Sequence, residues 1–321
     1  MASEALAWRY PTYEGVLGAR DRIAPYLKST PLRRYPAIDR LLAAEVWVKH
    51  ENHNPTGAFK VRGGVNLVSQ LGDEERSAGL IAASTGNHGQ SVAYAARLFG
   101  VKATICVPEG ANPAKVASME DLGATIIEKG RDFDDAKSHA EELTAMHGYR
   151  YVNSGNEPDL IEGVGTYMQE IVDEQQIDAV FVPVGGGSGA AGTCLVAKAQ
   201  SSAVEVIGVQ SEAAPSAYLS WRDRSLVEDE MKTAAEGLAT RAPFELPQRV
   251  MWDLLDDFVL VSEDDIFDAT QTMIELTRNL VEGAGAAALA GALQERGRVE
   301  GKRVALICSG GNITLRTLLF R

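Results

Sequence analysis

One lysine in this 321-residue chain stands where a solvated side chain would gain nothing. Lys60 lies in HNPTGAFKVRGG, residues 53–64, with Gly57 and Phe59 before it, Arg62 two places on, and Gly63 and Gly64 behind. Burial disfavours the ammonium form, so a sequestered Lys60 becomes an amine able to condense with a carbonyl as a Schiff base. Three glycine-containing loops could wall a pocket for such chemistry: ASTGNHGQ (83–90), PVGGGSGAAG (183–192) and CSGGN (308–312). Gly185, Gly186, Gly187, Ser188 and Gly189 run straight into a helical pattern, so several N–H groups and the helix dipole can face one anion. One such loop is an ordinary turn after a strand. Three of them with a secluded lysine outline a site.

The second loop also carries a rival reading. Gly187 to Gly192 matches GxGxxG, which in a dinucleotide fold would make the chain an NAD(P)-dependent dehydrogenase. That fingerprint needs an acidic residue about twenty positions on, at a strand end. Glu212 stands near that distance, yet the strand VEVIGVQ already ends at Gln210. No GxxxxGK[ST] motif occurs. A non-catalytic binding module would have no use for the poised lysine.

The elements that must position these residues follow an α/β pattern. From residue 78, GLIAAS, KATICVP, ATIIEKG and YRYVN read as strands separated by three helical stretches, which implies parallel βαβ units. After residue 155, DAVFVPV, VEVIGVQ and RVALICSGG read as strands among longer helices, and VWVK (46–49) as a short strand feeding the lysine loop. The expected fold is two open, mostly parallel sheets flanked by helices, in a large and a small lobe. Residues 1–72 with 158–321 would form the large lobe and 73–157 the small one. Ligands bind outside the carboxyl ends of such strands, where the three loops fall.

Composition narrows the partners. With 31 basic against 44 acidic residues, a formal charge of −13, and no run of five or six like charges, a nucleic-acid partner is not expected. Cys106, Cys194 and Cys308 lie in apolar stretches without a CxxC pair, which reads as reduced thiols in a cytoplasmic protein. MASEALAWRYPTYEG lacks the basic and apolar regions of a secretory leader, and no apolar run is long enough to cross a membrane.

An anion cradle beside a carbonyl-binding lysine suggests pyridoxal 5′-phosphate. At this point the chain resembles the serine/threonine ammonia-lyase and serine racemase group of fold type II pyridoxal-phosphate enzymes, with the tryptophan synthase β-like fold. PTGAFKVRGG, STGNHGQ, PVGGGSGAAG and SGGN match the group's motifs in order, over nearly the whole chain. The resemblance implies that Lys60 binds the cofactor, with Phe59 against its ring and Asn87 at the ring's 3′-oxygen. It implies that Gly185, Gly186, Gly187, Ser188 and Gly189 hold the phosphate and that Ser309 meets the pyridine nitrogen. Ser84, Thr85, Gly86, Asn87 and His88 would surround the substrate carboxylate. Gly237 and Glu282 stand where the group has a glycine and a glutamate near the cofactor. Read from the residues alone, His88 could equally cap or pack its helix, Phe59 could be a core aromatic, and Arg62 a structural ion-pair partner.

A neutral Ser309 leaves the ring a weaker electron sink than a carboxylate would, which favours prompt loss of a β-substituent. The expected activity is therefore dehydration of a 3-hydroxy-amino acid, such as serine, threonine or a relative, to a 2-oxo acid and ammonia, with Lys60 as general base. The alternatives are a β-replacing or threonine-synthase-like enzyme, or a racemase. Racemases of the group have serine as second base where Thr85 stands, and the threonine methyl crowds that face. In metal-dependent members carboxylates follow the strand matching VEVIGVQ. Here those positions are Gln210 and Ser216, with Ala214 between and Glu212 nearby, so no metal is expected. The group's HPxxxP-like run is VNSGNEP here, which is expected to line the substrate side chain, leaving a hydroxyaspartate, phenylserine or hydroxyectoine-pathway substrate open. No appended regulatory domain is expected, and a homodimer is.

Overall fold

The computed structural model describes residues 9–314, so the first eight residues of the stretch read for a leader, and the last seven of the chain, lie outside it. The chain opens with α1 (Tyr13–Ile23), β1 (Leu32–Arg34), α2 (Pro36–Leu42), β2 (Glu45–His50) and α3 (Lys60–Ser69). It continues through α4 (Asp73–Ala78), β3 (Leu80–Ala83), α5 (Asn87–Leu98), β4 (Ala103–Val107), α6 (Pro113–Asp121), β5 (Thr125–Glu128), α7 (Phe133–His147) and β6 (Arg150–Tyr151). Then come α8 (Pro158–Glu174), β7 (Ala179–Pro183), α9 (Ser188–Gln200), β8 (Glu205–Ser211), α10 (Ser216–Asp223), α11 (Glu245–Leu254) and β9 (Asp257–Val261). Last are α12 (Glu263–Thr277), α13 (Gly283–Gln294), α14 (Arg296–Val299) and β10 (Arg303–Cys308).

Local chemistry sets several of these boundaries. The Asp132 carboxylate accepts from the N–H groups of Asp134 and Asp135 to start α7, and Gly148, in the left-handed region at φ 72°, stops it. Ser262 and Asp265 close a reciprocal capping box on α12. Proline occupies the first turn of α6 and of α8, where its missing N–H costs nothing.

Among the described residues the strands form a six-stranded sheet, β1-β2-β10-β7-β8-β9, and a four-stranded sheet, β5-β4-β3-β6. Every pairing is parallel except β1 with β2. Alternation along each strand feeds two helical layers. Phe181 and Leu306 pack with Met273 and the alanines of α13, whereas Val180, Val182 and Ile307 face α8, α9 and α11. In the smaller sheet Leu80, Ala82 and Ile105 pack with Val61, Val65 and Val92, while Ile81 and Cys106 face Ala136 and Ala140 of α7.

The expected architecture is present, with additions. β1 has only three residues and β9 sits at a sheet edge, so neither stood out as a strand in the sequence. Gly63 and Gly64 prove to be helical rather than bent. A Cβ on Gly63 would stand 2.8 Å from the Leu160 carbonyl oxygen, and one on Gly64 would stand 2.3 Å from Ser91 Oγ. These glycines let α3 approach α8 on one side and α5 on the other. Cys106, Cys194 and Cys308 are buried free thiols. No helix among the described residues is long and apolar enough to cross a membrane.

Candidate active site

The lysine loop is laid along the third glycine loop. Phe59 N–H donates to the Ser309 carbonyl at 3.0 Å, Ala58 bridges Gly310 antiparallel, and Gly311 N–H donates to Gly57 O at 2.9 Å. Gly57 takes φ 68°, a conformation that an L side chain would strain, and this turn delivers Lys60 as the first residue of α3. The Lys60 Nζ donates to the Ser154 carbonyl at 3.0 Å and to Ser188 Oγ at 2.9 Å. No carboxylate pairs with it among the described residues. Part of the side chain remains accessible, but burial around the amine lowers its pKa to about 8. The Phe59 ring lies 5.5 Å from Nζ and meets Tyr167 edge-on, and the Tyr167 hydroxyl donates to Gly189 O at 2.8 Å.

Opposite the lysine, β7 ends in the glycine run. Gly187 at φ 87° turns the chain so that α9 begins at Ser188. The first bond of that helix is Ala191 N–H to Gly187 O. The N–H groups of Gly185 to Ala190 therefore find no partner among the described residues, which is the orphan-donor array of a helix start left open toward a ligand. A Cβ on Gly185 would lie 2.3 Å from Gly237 O, so the Gly237 backbone crosses directly over the cradle.

Asn87 opens α5, and both ends of its amide are engaged. Its Nδ2 donates to Glu282 Oε1 at 2.8 Å, and its Oδ1 accepts from Asn312 Nδ2 at 2.7 Å. One N–H of Asn87 stays available. Burial raises the Glu282 pKa to about 7, and a Cβ on Gly310 would stand 2.4 Å from its Oε1. In the same loop Ser84 Oγ accepts from Gly86 N–H at 3.2 Å and Gly89 N–H at 2.9 Å, which folds the turn onto the helix. His88 Nε2 donates to the Val152 carbonyl at 3.0 Å. Burial, assisted by nearby Lys60, lowers its pKa to about 3, so the ring is neutral; its Nδ1 has no partner among the described residues. The side chains of Thr85 and Ser309 have no partner among the described residues.

Arg62, one helical step from Lys60, is held bidentately by Glu51 (2.7 and 2.9 Å) and by Glu170 (2.6 and 2.9 Å). Lys49 joins Glu170 at 2.5 Å. Burial works against the guanidinium charge, yet the two carboxylates outweigh it and raise its pKa. This is a structural ion cluster, and it ties α3 to α8 and to the end of β2.

The expected residues thus converge on one place: Lys60, Phe59, the 185–189 cradle, Gly237, Asn87, Glu282 and the 309–312 loop. Sequence reasoning missed the Ser154 carbonyl, the Asn312 side chain and Tyr167. VNSGNEP was read as lining the substrate, and its position after a strand was signal enough to look for a lysine contact. Gln210 and Ser216, where no divalent cation is expected, are both bonded to backbone. The Gln210 side-chain oxygen accepts from Tyr218 N–H at 3.0 Å, and Ser216 Oγ donates to Thr240 O at 2.7 Å. Two neutral groups already spent on backbone lack the charge a hard cation needs.

The model of the pyridoxal-phosphate dependent enzyme family matches residues 23–310. The chain belongs to that family. Among curated members of known activity, it is 37% identical to the L-threo-3-hydroxyaspartate ammonia-lyase of Saccharomyces cerevisiae, over 95% of this chain and 94% of that one. It is 36% identical to the L-threonine ammonia-lyase of Thermotoga maritima, covering 96% of this chain and 77% of the other. Among solved structures, maize serine racemase superposes with a TM-score of 0.93 at 30% identity, over 97% and 96% of the two chains. The fold is therefore that of the fold type II pyridoxal-phosphate enzymes. The residues present fit the cofactor: among the described residues, an amine without a counter-ion stands beside six consecutive unpartnered N–H groups.

Proposed function

We propose that this pyridoxal-phosphate enzyme is an ammonia-lyase that dehydrates a 3-hydroxy-amino acid to a 2-oxo acid and ammonia. The observation that carries it is the Lys60 amine, free of any carboxylate and hydrogen-bonded to Ser188 at the mouth of the N–H cradle. The activities of the yeast and Thermotoga relatives support the reaction class.

When bound, pyridoxal 5′-phosphate supplies the electron sink that makes the Cα proton of an amino acid removable. Gly185 to Gly189 would hold its phosphate, Asn87 and Phe59 would border its ring, and Ser309 would offer the ring a neutral hydroxyl rather than a carboxylate. Gly237 and Glu282 close the other side, with Glu282 and Asn312 orienting the Asn87 amide. The start of α5, residues Ser84 to His88, receives the substrate carboxylate with backbone donors. Lys60 takes the Cα proton, which its lowered pKa suits near neutral pH. The β-hydroxyl departs as water, and water later returns to Cα as ammonia leaves. The large lobe (residues 1–72 with 158–321) and the small lobe (73–157) close over the substrate, with α3 as the seam. The enzyme works as a cytoplasmic homodimer on a small amino acid.

A second reading, racemisation, draws on Thr85, whose hydroxyl has no partner among the described residues and which lies in the loop that receives the substrate carboxylate. Deuterium exchange at Cα with inversion would reveal it.

The test is Lys60→Ala against wild type, over a panel of serine, threonine and 3-hydroxyaspartate. Wild type should absorb in the visible, bleach with borohydride and release 2-oxo acid, and the variant should do none of these. Undiminished turnover by the variant would remove Lys60 from the reaction.

A further inference from the structure

A cavity of about 400 Å3 opens between the first turn of α6 and the turn at Glu236, and it reaches the candidate active site along Gly237, Glu282 and Asn312. Lys115 is the only basic residue on its described wall. Its Nζ lies 3.8 Å from where a Cβ on Gly86 would stand, so the ammonium faces the loop that receives the substrate α-carboxylate. That loop already offers N–H donors at a helix start for one carboxylate. A monocarboxylic substrate leaves Lys115 surplus.

The ammonium is paired with Glu236 in an unequal way. The lysine side chain is 15% exposed, and that of Glu236 is 61% exposed. A glutamate so open to water loses little when it lets go, whereas a lysine so enclosed needs an anion. Neither of the other two acids on the wall forms an ion pair with it among the described residues, although the Lys115 charge acts on Glu282 from a distance. Glu263 is committed to the Ser211 and Thr233 hydroxyls and to Ala234 N–H. Glu282, with its pKa raised by burial to about 7, carries a proton in a large share of molecules at neutral pH.

We propose that Lys115 is a specificity-determining residue that takes the second carboxylate of a 3-hydroxy-amino dicarboxylate, displacing Glu236. This rests on the ammonia-lyase reading and names its substrate class. A hydroxyl or methyl on Cβ cannot replace Glu236 as a counter-ion, so serine and threonine enter with the pair intact and gain nothing from it. A dicarboxylate gains a charge-assisted hydrogen bond in a partly dehydrated place.

The experiment uses the holoenzyme. Calorimetric binding of malate and lactate, which have no amine to react, is measured for wild type, Lys115→Met and Glu236→Gln. Release of 2-oxo acid from L-threo-3-hydroxyaspartate and L-threonine is followed in parallel. Wild type should prefer malate, Lys115→Met should bind it about tenfold more weakly, and Glu236→Gln should bind it more tightly because the competing anion is gone. The hydroxyaspartate-to-threonine ratio of kcat/KM should fall and rise in the same order. A salt bridge that only braced the fold would shift malate binding the same way in both variants, which overturns the proposal, as does equal affinity of wild type for malate and lactate. Turnover of threonine with no advantage for hydroxyaspartate overturns the Lys115 assignment alone. Release from neither amino acid overturns the ammonia-lyase reading instead.

Discussion

The Lys60 amine and the Ser188 hydroxyl meet at 2.9 Å, each side chain borne by the first residue of its helix. Two helix starts therefore converge on one point, and the N–H groups at the start of α9, unpaired among the described residues, make it positive. Such a place suits a phosphate and disfavours an ammonium. Serine is the residue that lets both helices close on each other, because its oxygen accepts from the lysine while its backbone still faces the ligand.

Ser188→Ala removes that acceptor but leaves the N–H array. Affinity for pyridoxal 5′-phosphate should fall about tenfold, the size of one hydrogen bond to a charged group, with the fold intact. Gly185→Ala should lose cofactor and thermal stability together, because its Cβ would meet the Gly237 carbonyl at 2.3 Å. Equilibrium dialysis and thermal unfolding separate the two. Unchanged cofactor affinity in both variants would place the phosphate elsewhere.

The lysine makes a pH prediction for the cofactor-free chain. Its folded pKa is lowered from 10.5 to about 8, so between those values the folded chain binds fewer protons than the unfolded one. The stability of wild type relative to Lys60→Met should rise with pH across that window. Below about pH 8 Lys60→Met should be the more stable, by roughly 1–3 kcal/mol, since it buries no charge. Urea unfolding at pH 7 and pH 10 measures it, and a difference independent of pH would mean that the amine is solvated.

Removing the cation from the buried cluster should be costly. In Arg62→Met, Lys49 remains to face Glu170, but Glu51, fully buried, loses its bidentate partner. The expected loss is about 3–5 kcal/mol in urea unfolding. A loss below about 1 kcal/mol would show that Glu51 accepts a proton at little cost.

Gly63→Ala separates a packing glycine from a flexible one. Alanine favours an exposed helix by up to about 1 kcal/mol, yet here its Cβ would press on the Leu160 carbonyl at 2.8 Å. Net destabilisation of about 1–3 kcal/mol is expected, and a stabilised variant would mean that α3 and α8 stand further apart.

Much of the candidate site was legible because its parts are local. Gly-Gly-Gly-Ser-Gly after an apolar run states a turn and a helix start without reference to the rest of the chain. The motif order made the family recognisable from the same residues. Other features were hidden because they depend on distant partners. Nothing in the composition of residues 60–64 tells a turn from a tight helix crossing, since the atom that forbids a side chain on Gly63 belongs to Leu160. His88 likewise reads either as a neighbour of the substrate carboxylate or as a residue that caps or packs its helix, and only its bond to the Val152 carbonyl and its burial show a neutral ring.

By itself the amino-acid order determined the alternation of strands and helices, the three glycine loops at strand ends and the identity of the amine, because these follow from short-range periodicity and backbone freedom. The tertiary structure decided what that amine is like. Ser154 and Ser188 lie 94 and 128 residues from Lys60, and their oxygens reach it only after the sheets are assembled. Burial is a property of the assembled chain, and it is burial that moves the lysine, Glu282 and His88 away from their ordinary proton affinities.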